Sequence, residues 1–243
     1  MALPSSGPLS LSDIQGEFGG SNPISLSEYY AGGGLVAPGT TGTYGAVPSS
    51  GEISIRNFYG TSSAFTPVTN TYNSGSGTET VPTGATQLVI TAYGSGGDGA
   101  AFDVSSGGGG GGGAYCVKTV SIVSGDYGVG LSWAVNAPGS NGASSVTGTI
   151  AAGALAVSAG AGQNGDVNNV GGAGGVASGG DTNTNGDPGG AYPGGAAAGP
   201  LGGAYQFTGG QNGNPLGGGG AGDDTGSAGV GTGAYGRIVF AWT

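Results

Sequence analysis

Apolar and polar positions near the start of the chain follow one phrase that occurs three times. The copies are Leu9-Ser-Leu-Ser-Asp-Ile14, Ile24-Ser-Leu-Ser-Glu-Tyr29 and Ile53-Ser-Ile-Arg-Asn-Phe58. Ser12 stands three residues before Gln15, and Ser25 stands three residues before Glu28, which is the spacing of a capping box at a helix start. Glycines after the first two copies favour helix termination. The pattern predicts short helices at about 13–18 and 26–31 and a single turn near 55–59.

Helices of this length are not stable alone, because helix nucleation is costly. Their apolar side chains therefore need a neighbouring surface, and we interpret that surface as part of another protein. The residues that would make this attachment are Ile14, Phe18, Leu26, Tyr29, Tyr30, Phe58 and Tyr59.

From residue 64 onward the pattern changes to short runs of β-branched and aromatic residues that glycine and proline interrupt. Such runs are typical of strands. We expect a turn at 74–77 and strands in the following segments: 65–72, 78–81, 87–93, 114–123, 127–135, 145–150, 155–158 and 236–242.

Glycine occupies 63 of the 243 positions, far above its usual share of roughly 7 %. It is concentrated in the run 107–113 and in residues 161–236, where it falls in all three phases and so excludes collagen. Backbones without Cβ can instead pack side by side as extended, polyproline-II-like segments. We predict a mostly β fold with glycine-rich irregular or polyglycine-II-like layers, and a small N-terminal module with short helices. The predicted domains are 1–62 and 63–243, with exposed loops at about 161–236.

The charged residues exclude several kinds of partner. The formal net charge is −10, and the only cations are Arg56, Lys118 and Arg237, so the chain cannot neutralise a run of phosphates. We expect no nucleic-acid partner and no membrane insertion, since no apolar run reaches about 18 residues. The lone Cys116 excludes an intrachain disulfide, and the N-terminus carries no secretion signal. We therefore expect synthesis in a cytoplasm.

Catalytic chemistry has little support in the sequence. There is no histidine, which removes the usual general base, and we expect neither an enzyme nor a cofactor. Carboxylate pairs remain formally available at Asp223-Asp224 and at Asp98 with Asp103. Acidic residues scattered among glycines are more often solvated turn residues, and this is the interpretation we favour.

One segment resembles half of a calcium-binding loop. Asp181-Thr-Asn-Thr-Asn-Gly-Asp187 places oxygen ligands at alternate positions before a glycine, which makes Asp181, Asn183 and Asn185 candidate metal ligands. Tyr192 stands where the loop requires a bidentate Glu, and Pro188 interrupts it. We therefore expect a turn-rich surface segment without a metal.

Aromatic residues set among glycines, with amides nearby, are the best candidates for ligand binding. Exposed rings stack on the apolar faces of sugars, while amides hydrogen-bond to hydroxyl groups. The aromatic members are Tyr192, Tyr205, Phe207 and Tyr235, and the amides are Asn183, Asn185, Asn212 and Asn214. Tyr192 and Tyr205 have Pro or Gly neighbours that are typical of loop tips.

Residues from about 65 to 243 resemble the glycine-rich domains of phage tail fibre and tail-tip adhesins. The phrases that carry the resemblance are Thr80-Val-Pro-Thr-Gly84, Ala92-Tyr-Gly-Ser-Gly-Gly97, Ala114-Tyr-Cys-Val117 and Gly233-Ala-Tyr-Gly-Arg-Ile-Val-Phe-Ala-Trp242. The resemblance implies a virion protein of the tail that binds a host-surface receptor, either a glycan or an outer-membrane protein. Residues 1–60 look like a repeat module of phage structural proteins, which implies docking to other tail or virion proteins. A homotrimer would be usual for a fibre.

Two other functions remain open at this point. The chain could be a purely structural virion component, such as a capsid decoration or a tail ornament. Polyglycine-II bundles also occur in ice-binding proteins, but those need a flat face of regularly spaced Thr or Ala, and the irregular spacing here argues against that function.

Overall fold

A computed structural model describes residues 2–37, 39–63, 65, 67–82, 84–101, 107–191, 210–223 and 229–243. The chain forms two compact units, Met1–Thr66 and Pro67–Thr243, whereas the sequence placed the boundary between residues 62 and 63. The expected mostly β fold is confirmed.

The unit Met1–Thr66 is built on the three copies of the repeated phrase. Each copy forms one short helix: α1 (Leu11–Phe18), the 3₁₀ helix η1 (Leu26–Tyr29) and the 3₁₀ helix η2 (Ile55–Phe58). The strands β1 (Thr41–Gly42) and β2 (Gly45–Ala46) form a small antiparallel hairpin in the same unit. The repeat therefore encodes three helix starts.

The second residue of each copy is the helix N-cap. In the first copy the Ser10 N–H donates to Asp13 Oδ2 at 2.8 Å, and the Asp13 N–H donates to Ser10 Oγ at 3.3 Å. The prediction that Ser12 and Gln15 form this capping box was wrong. The prediction for Ser25 and Glu28 is confirmed. Alignment of the copies equates Ser10 with Ser25, so the repeat was a better guide than the spacing alone.

Ile14, Tyr29 and Phe58, the last residues of the three copies, are fully buried at the centre of this unit. The Phe58 ring meets the Phe18 ring edge-on at 6.0 Å and the Tyr29 ring at 6.1 Å. The prediction that Ile14, Phe18, Tyr29 and Phe58 attach to another protein was wrong, because the three helices bury these side chains against one another.

The other predicted attachment residues are half-buried and also bonded within the unit. Leu26 packs against the same core. The Tyr30 hydroxyl donates to the Gly51 carbonyl, and the Tyr59 hydroxyl donates to the Gly7 carbonyl at 2.6 Å. All of these contacts are made within the first unit.

The unit Pro67–Thr243 contains two antiparallel five-stranded sheets. The first has the order β10-β9-β8-β7-β4 and the second has the order β11-β6-β5-β12-β3. The strands are β3 (Val68–Tyr72), β4 (Gly75–Thr80), β5 (Gln87–Tyr93), β6 (Tyr115–Ser121), β7 (Gly130–Val135), β8 (Ala143–Ile150), β9 (Gly153–Gly160), β10 (Ala177–Ser178), β11 (Thr182–Thr184) and β12 (Arg237–Trp242), and the 3₁₀ turn η3 (Ser124–Asp126) follows β6.

Alternate residues of the strands point inward and form the core between the sheets. The eight predicted strands are confirmed. The turn expected at 74–77 was wrong in extent, because β4 begins at Gly75. The short strands β10 and β11 were not predicted, since each is defined by pairing with β9 or β6 rather than by its own residues.

A buried carboxylate joins the two sheets. Glu79 of β4 is 5 % exposed and accepts hydrogen bonds from Asn70 Nδ2 at 2.7 Å, the Tyr72 hydroxyl at 2.7 Å and Trp242 Nε1 at 2.9 Å, all in the second sheet. Three donors offset the cost of burying the charge. The hydrogen bond from the Tyr72 hydroxyl to Glu79 raises the pKa of Tyr72, because ionisation would remove the proton that the hydroxyl donates. The end of β3 is thereby held in place.

Six of the strands continue into glycine-rich segments, which pack together with two further glycine-rich segments as one bundle. We call these segments the glycine bundle: residues 94–100, 107–114, 160–166, 170–176, 186–190, 210–214, 217–223 and 229–236. Within the bundle the N–H groups of one segment bond to a given neighbour at every third residue. This is the period of the polyproline-II helix, which has three residues per turn. The glycine tracts are therefore ordered in the polyglycine-II manner.

The run 107–113 is the centre of the bundle, and all of its residues are buried. Successive N–H groups point to three neighbouring segments in turn. Gly107, Gly110 and Gly113 donate to 217–223, Gly108 and Gly111 to 160–166, and Gly109 and Gly112 to 186–190, at 2.7–3.0 Å. Segments 94–100 and 170–176 donate to its carbonyls. With five neighbours around it, the central segment leaves little space for side chains.

The expectation that residues 161–236 are exposed loops was wrong for the inner bundle. Residues 217–223 are buried throughout. In the outer segment 170–176, glycines fill the two phases that face the bundle, while Val170, Ala173 and Val176 are exposed at every third position. The positions that glycine takes in the three-residue repeat therefore indicate which side of a segment packs against the bundle.

We expect Gly110→Ala to destabilise the second unit strongly. An added Cβ would overlap the carbonyl oxygen of Gly97, and backbone atoms on all sides cannot move away. The loss should be roughly 3 kcal/mol or more in the free energy of unfolding, measured by urea titration with Trp fluorescence. Gly125→Ala is the matched control, because nothing lies within 4 Å of its Cβ position. Equal stability of the two variants would contradict the packing described.

The capping assignment predicts that Ser10→Ala lowers the local stability of α1 by about 1 kcal/mol. Ser12→Ala should change it by less than about 0.5 kcal/mol, because Ser12 caps no backbone N–H of the helix. Native-state hydrogen exchange of the α1 amides in the full chain measures both values. A larger effect at Ser12 than at Ser10 would overturn the assignment.

Candidate functional site

A groove of about 340 Å³ opens where the glycine bundle meets the start of β12. A depression of about 260 Å³ adjoins it and shares Asn73 and Tyr235. The side chains that give the groove its chemistry are Asn73, Asn212, Leu216, Thr232, Tyr235 and Arg237.

Strand geometry places three of these residues together. Tyr235, at the end of the last bundle segment, and Arg237, the first residue of β12, both line the groove. The register of β12 on β3 pairs Ile238 with Tyr72, which brings Asn73 opposite Arg237. Arg237 Nε donates to Asn73 Oδ1 at 2.7 Å. This bond fixes the plane of the guanidinium group beside Tyr235, whose side chain is 57 % exposed.

The opposite wall comes from the segment that contains Asn212. Asn212 Oδ1 accepts from the Thr232 N–H at 2.9 Å, and Asn212 is exposed. The neighbouring Gly213 N–H bonds to the Thr232 carbonyl at 2.7 Å. Leu216 has a φ of 64°, a left-handed conformation that is unusual for a residue with a branched side chain. The wall is therefore held by backbone bonds.

The groove offers an exposed aromatic ring, a planar cation and amide groups. None of its described lining residues carries a carboxylate. In the described part of the chain, no group of three or more His, Cys, Asp or Glu could hold a metal ion. The arrangement suits recognition of a ligand with an apolar face and polar edges.

The amides singled out from the sequence separate in the structure. Asn212 lines the groove. Asn214 lies two residues farther along the same segment and is half-buried, and its backbone carbonyl accepts from the Gly218 N–H at 3.1 Å. Asn183 and Asn185 lie at β11, away from the groove lining. Tyr192, Tyr205 and Phe207 lie outside the described residues.

Of the groove residues, Asn212 and Tyr235 were predicted from the sequence, whereas Asn73 and Arg237 were not. Their proximity arises from the pairing of β3 with β12, which joins residues 164 positions apart. The available signal was the scarcity of cations: Arg237 is one of only three Lys and Arg residues in the chain.

The candidate metal ligands Asp181, Asn183 and Asn185 bond to other groups of the chain. Asp181 Oδ1 pairs with Lys118 Nζ at 2.6 Å, and its Oδ2 accepts from the Thr119 N–H at 2.7 Å. Asn183 Oδ1 accepts from the Gly180 N–H at 3.1 Å, and Asn185 Oδ1 accepts from the Ala177 N–H at 3.0 Å. The segment is a short strand followed by a bundle segment, not a turn-rich loop.

The acidic residues Asp98 and Asp223 are likewise not solvated turn residues. Asp98 Oδ1 accepts from the Gly233 N–H at 2.8 Å. Asp223 is 5 % exposed, and its N–H donates to the Ala100 carbonyl at 3.0 Å. Both belong to the glycine bundle. Their proposed pair partners, Asp103 and Asp224, lie outside the described residues.

Among the described residues, no helix has the length and apolar character required to cross a bilayer. No protein-family model matches the chain, and comparison with curated protein sequences gives no match either.

The Lys118–Asp181 ion pair predicts a pH-dependent edge of the second sheet. The Lys118 ammonium, followed by the Thr119 N–H, lowers the pKa of Asp181 from its ordinary value of 3.8. The stabilisation of β11 is therefore present above this value and is lost as the pH falls through the lower pKa of the folded state. Acid titration followed by NMR should show the amides of β11 losing protection over that range.

The matched variant for this titration is Lys118→Met. It should raise the pKa of Asp181 toward its ordinary value, because the main cause of the shift is removed. An unchanged pKa of Asp181 in this variant would contradict the assignment.

Proposed function

We propose that this chain is a non-enzymatic phage virion protein, a tail fibre or tail-tip adhesin that binds a receptor on the host surface. The observation that carries the proposal is the groove beside Tyr235. It presents an exposed ring, a fixed guanidinium and an amide group, all on backbone that hydrogen bonds hold in place.

The glycine bundle supports a binding role. Receptor sites require side chains held within a small tolerance, and rigid elements hold them better than free loops do. Segments that pack through backbone atoms leave their outward phases available for sequence change, since those side chains make no contact inside the bundle. Such an arrangement fits a surface that must match a variable receptor.

Binding rather than catalysis agrees with the chemistry of the groove. General acid–base catalysis needs a proton donor or acceptor close to the reacting atom, and the described lining contains no Asp, Glu, His, Cys or Lys. We propose that exposed residues of 1–62 make the attachment to other tail proteins, because Ile14, Phe18, Tyr29 and Phe58 are buried in the core of that unit.

The proposal predicts that the purified full chain, added to host cells before infection, reduces phage adsorption. Tyr235→Ala should weaken this competition by at least tenfold, since the exposed ring is lost. Tyr44→Ala is the matched control, because Tyr44 is an exposed tyrosine of the first unit. Cell-binding and adsorption assays measure both variants.

Immunogold labelling of the intact particle tests the location, and we expect label at the tail. Label confined to the capsid, together with no binding of the chain to cells, would contradict the adhesin function. It would favour a purely structural component.

A further inference from the structure

We propose that the groove beside Tyr235 binds an acidic saccharide, whose carboxylate pairs with Arg237 and whose apolar ring face lies on Tyr235. The inference rests on the proposed receptor-binding function and names the ligand class for the same site.

The groove differs from the rest of the chain in its charge. The chain carries 13 acidic residues against three Lys and Arg, yet the described lining of the groove contains Arg237 and no acidic residue. Of the other two cations, Lys118 is paired with Asp181, and Arg56 lies over the Tyr44 ring at 4.6 Å. Arg237 is therefore the cation that is offered to a ligand within this groove.

The geometry of Arg237 fits a carboxylate. Asn73 Oδ1 holds Nε at 2.7 Å, and a neutral amide partner leaves the positive charge uncompensated. A guanidinium group held in one plane can present its two terminal nitrogens to both oxygens of a carboxylate, which is the strongest pairing open to it. A phosphate or a neutral hydroxyl group would also bond there, but a planar carboxylate matches the planar fork.

Tyr235 provides an apolar platform in the same groove as Arg237. The two residues are separated by Gly236 alone, so one ligand can reach both. The ring of Tyr235 is more than half exposed, so it can stack on the apolar face of a pyranose. Asn212 also lines the groove, and its amide group can hydrogen-bond to a ring hydroxyl.

The size of the groove favours a sugar over a protein segment. About 340 Å³ lies at the lower end of the range for small-molecule sites, roughly 300–1,000 Å³. A stable protein contact would need roughly 800 Å² on each partner, far more than the groove provides. The net charge of −10 disfavours long polyanions, whose charges would come within a Debye length of about 8 Å of the acidic surface. Short acidic oligosaccharides fit both limits.

The experiment compares matched acidic and neutral sugars on an array with the purified full chain. The pairs are oligogalacturonate with oligogalactose, oligoglucuronate with oligoglucose, and sialyllactose with lactose. We expect the acidic member of at least one pair to bind at least tenfold more tightly than its neutral twin. Calorimetric titration of that pair in solution then gives the two dissociation constants.

Variants assign the effect to the groove. Arg237→Met should abolish the preference for the acidic member while retaining weak binding of both, and Tyr235→Ala should weaken both members. Asn73→Ala, which frees the guanidinium group without removing it, should reduce the preference and serves if Arg237→Met does not fold. Tyr44→Ala should change neither value.

The outcomes separate this inference from the function on which it rests. Equal binding of acidic and neutral members in every pair overturns the acidic-saccharide inference and leaves the adhesin proposal standing. Failure of every sugar, while the chain still blocks adsorption, overturns it in favour of a protein receptor. Failure to bind cells as well removes the proposed function itself.

Discussion

The second unit depends on the close approach of backbones that carry no Cβ. Around the run 107–113, five neighbouring segments lie so near that a methyl group at Gly108, Gly110 or Gly111 would overlap a carbonyl oxygen. In return, each N–H of the run finds a carbonyl at 2.7–3.0 Å. Ordering glycine costs more entropy than ordering any other residue. Saturated backbone hydrogen bonding and Cα–H contacts to carbonyls offset that cost.

This constraint explains how one unit combines two kinds of packing. Between the sheets, inward side chains separate the backbones, as in other sandwiches. Where the strands continue into the glycine bundle, the backbones come closer together and hydrogen bonds join the ends of the two sheets. The Ala114 N–H, for example, donates to the Gly160 carbonyl at 2.9 Å. The strand period of two becomes a period of three at that point. The groove lies where β12 meets the glycine bundle. Strand pairing holds one of its walls, and hydrogen bonds between bundle segments hold the other.

Sequence patterns predicted much of the fold, and the errors have identifiable causes. Alternation and β-branched residues located β5 and β12, because those strands bury one face and so carry the signal themselves. The spacing rule misplaced the first cap at Ser12, although the repeat already equated Ser10 with Ser25. Ile14, Tyr29 and Phe58 were interpreted as an interface, because three short helices do not reveal that they pack against one another. For the site, only Asn212 and Tyr235 were recognisable in advance, as a polar amide and a ring among glycines.

By itself the sequence determined what kind of structure this chain forms. Its glycine content, strand runs and helix caps are local, and each acts through the conformational freedom of single residues or short segments. Only the tertiary structure decided which residues share a groove and which acidic groups are already engaged. Arg237 meets Asn73 through strand pairing, and Asp181 meets Lys118 across neighbouring strands. Such contacts depend on the register between distant segments, and no local pattern records that register.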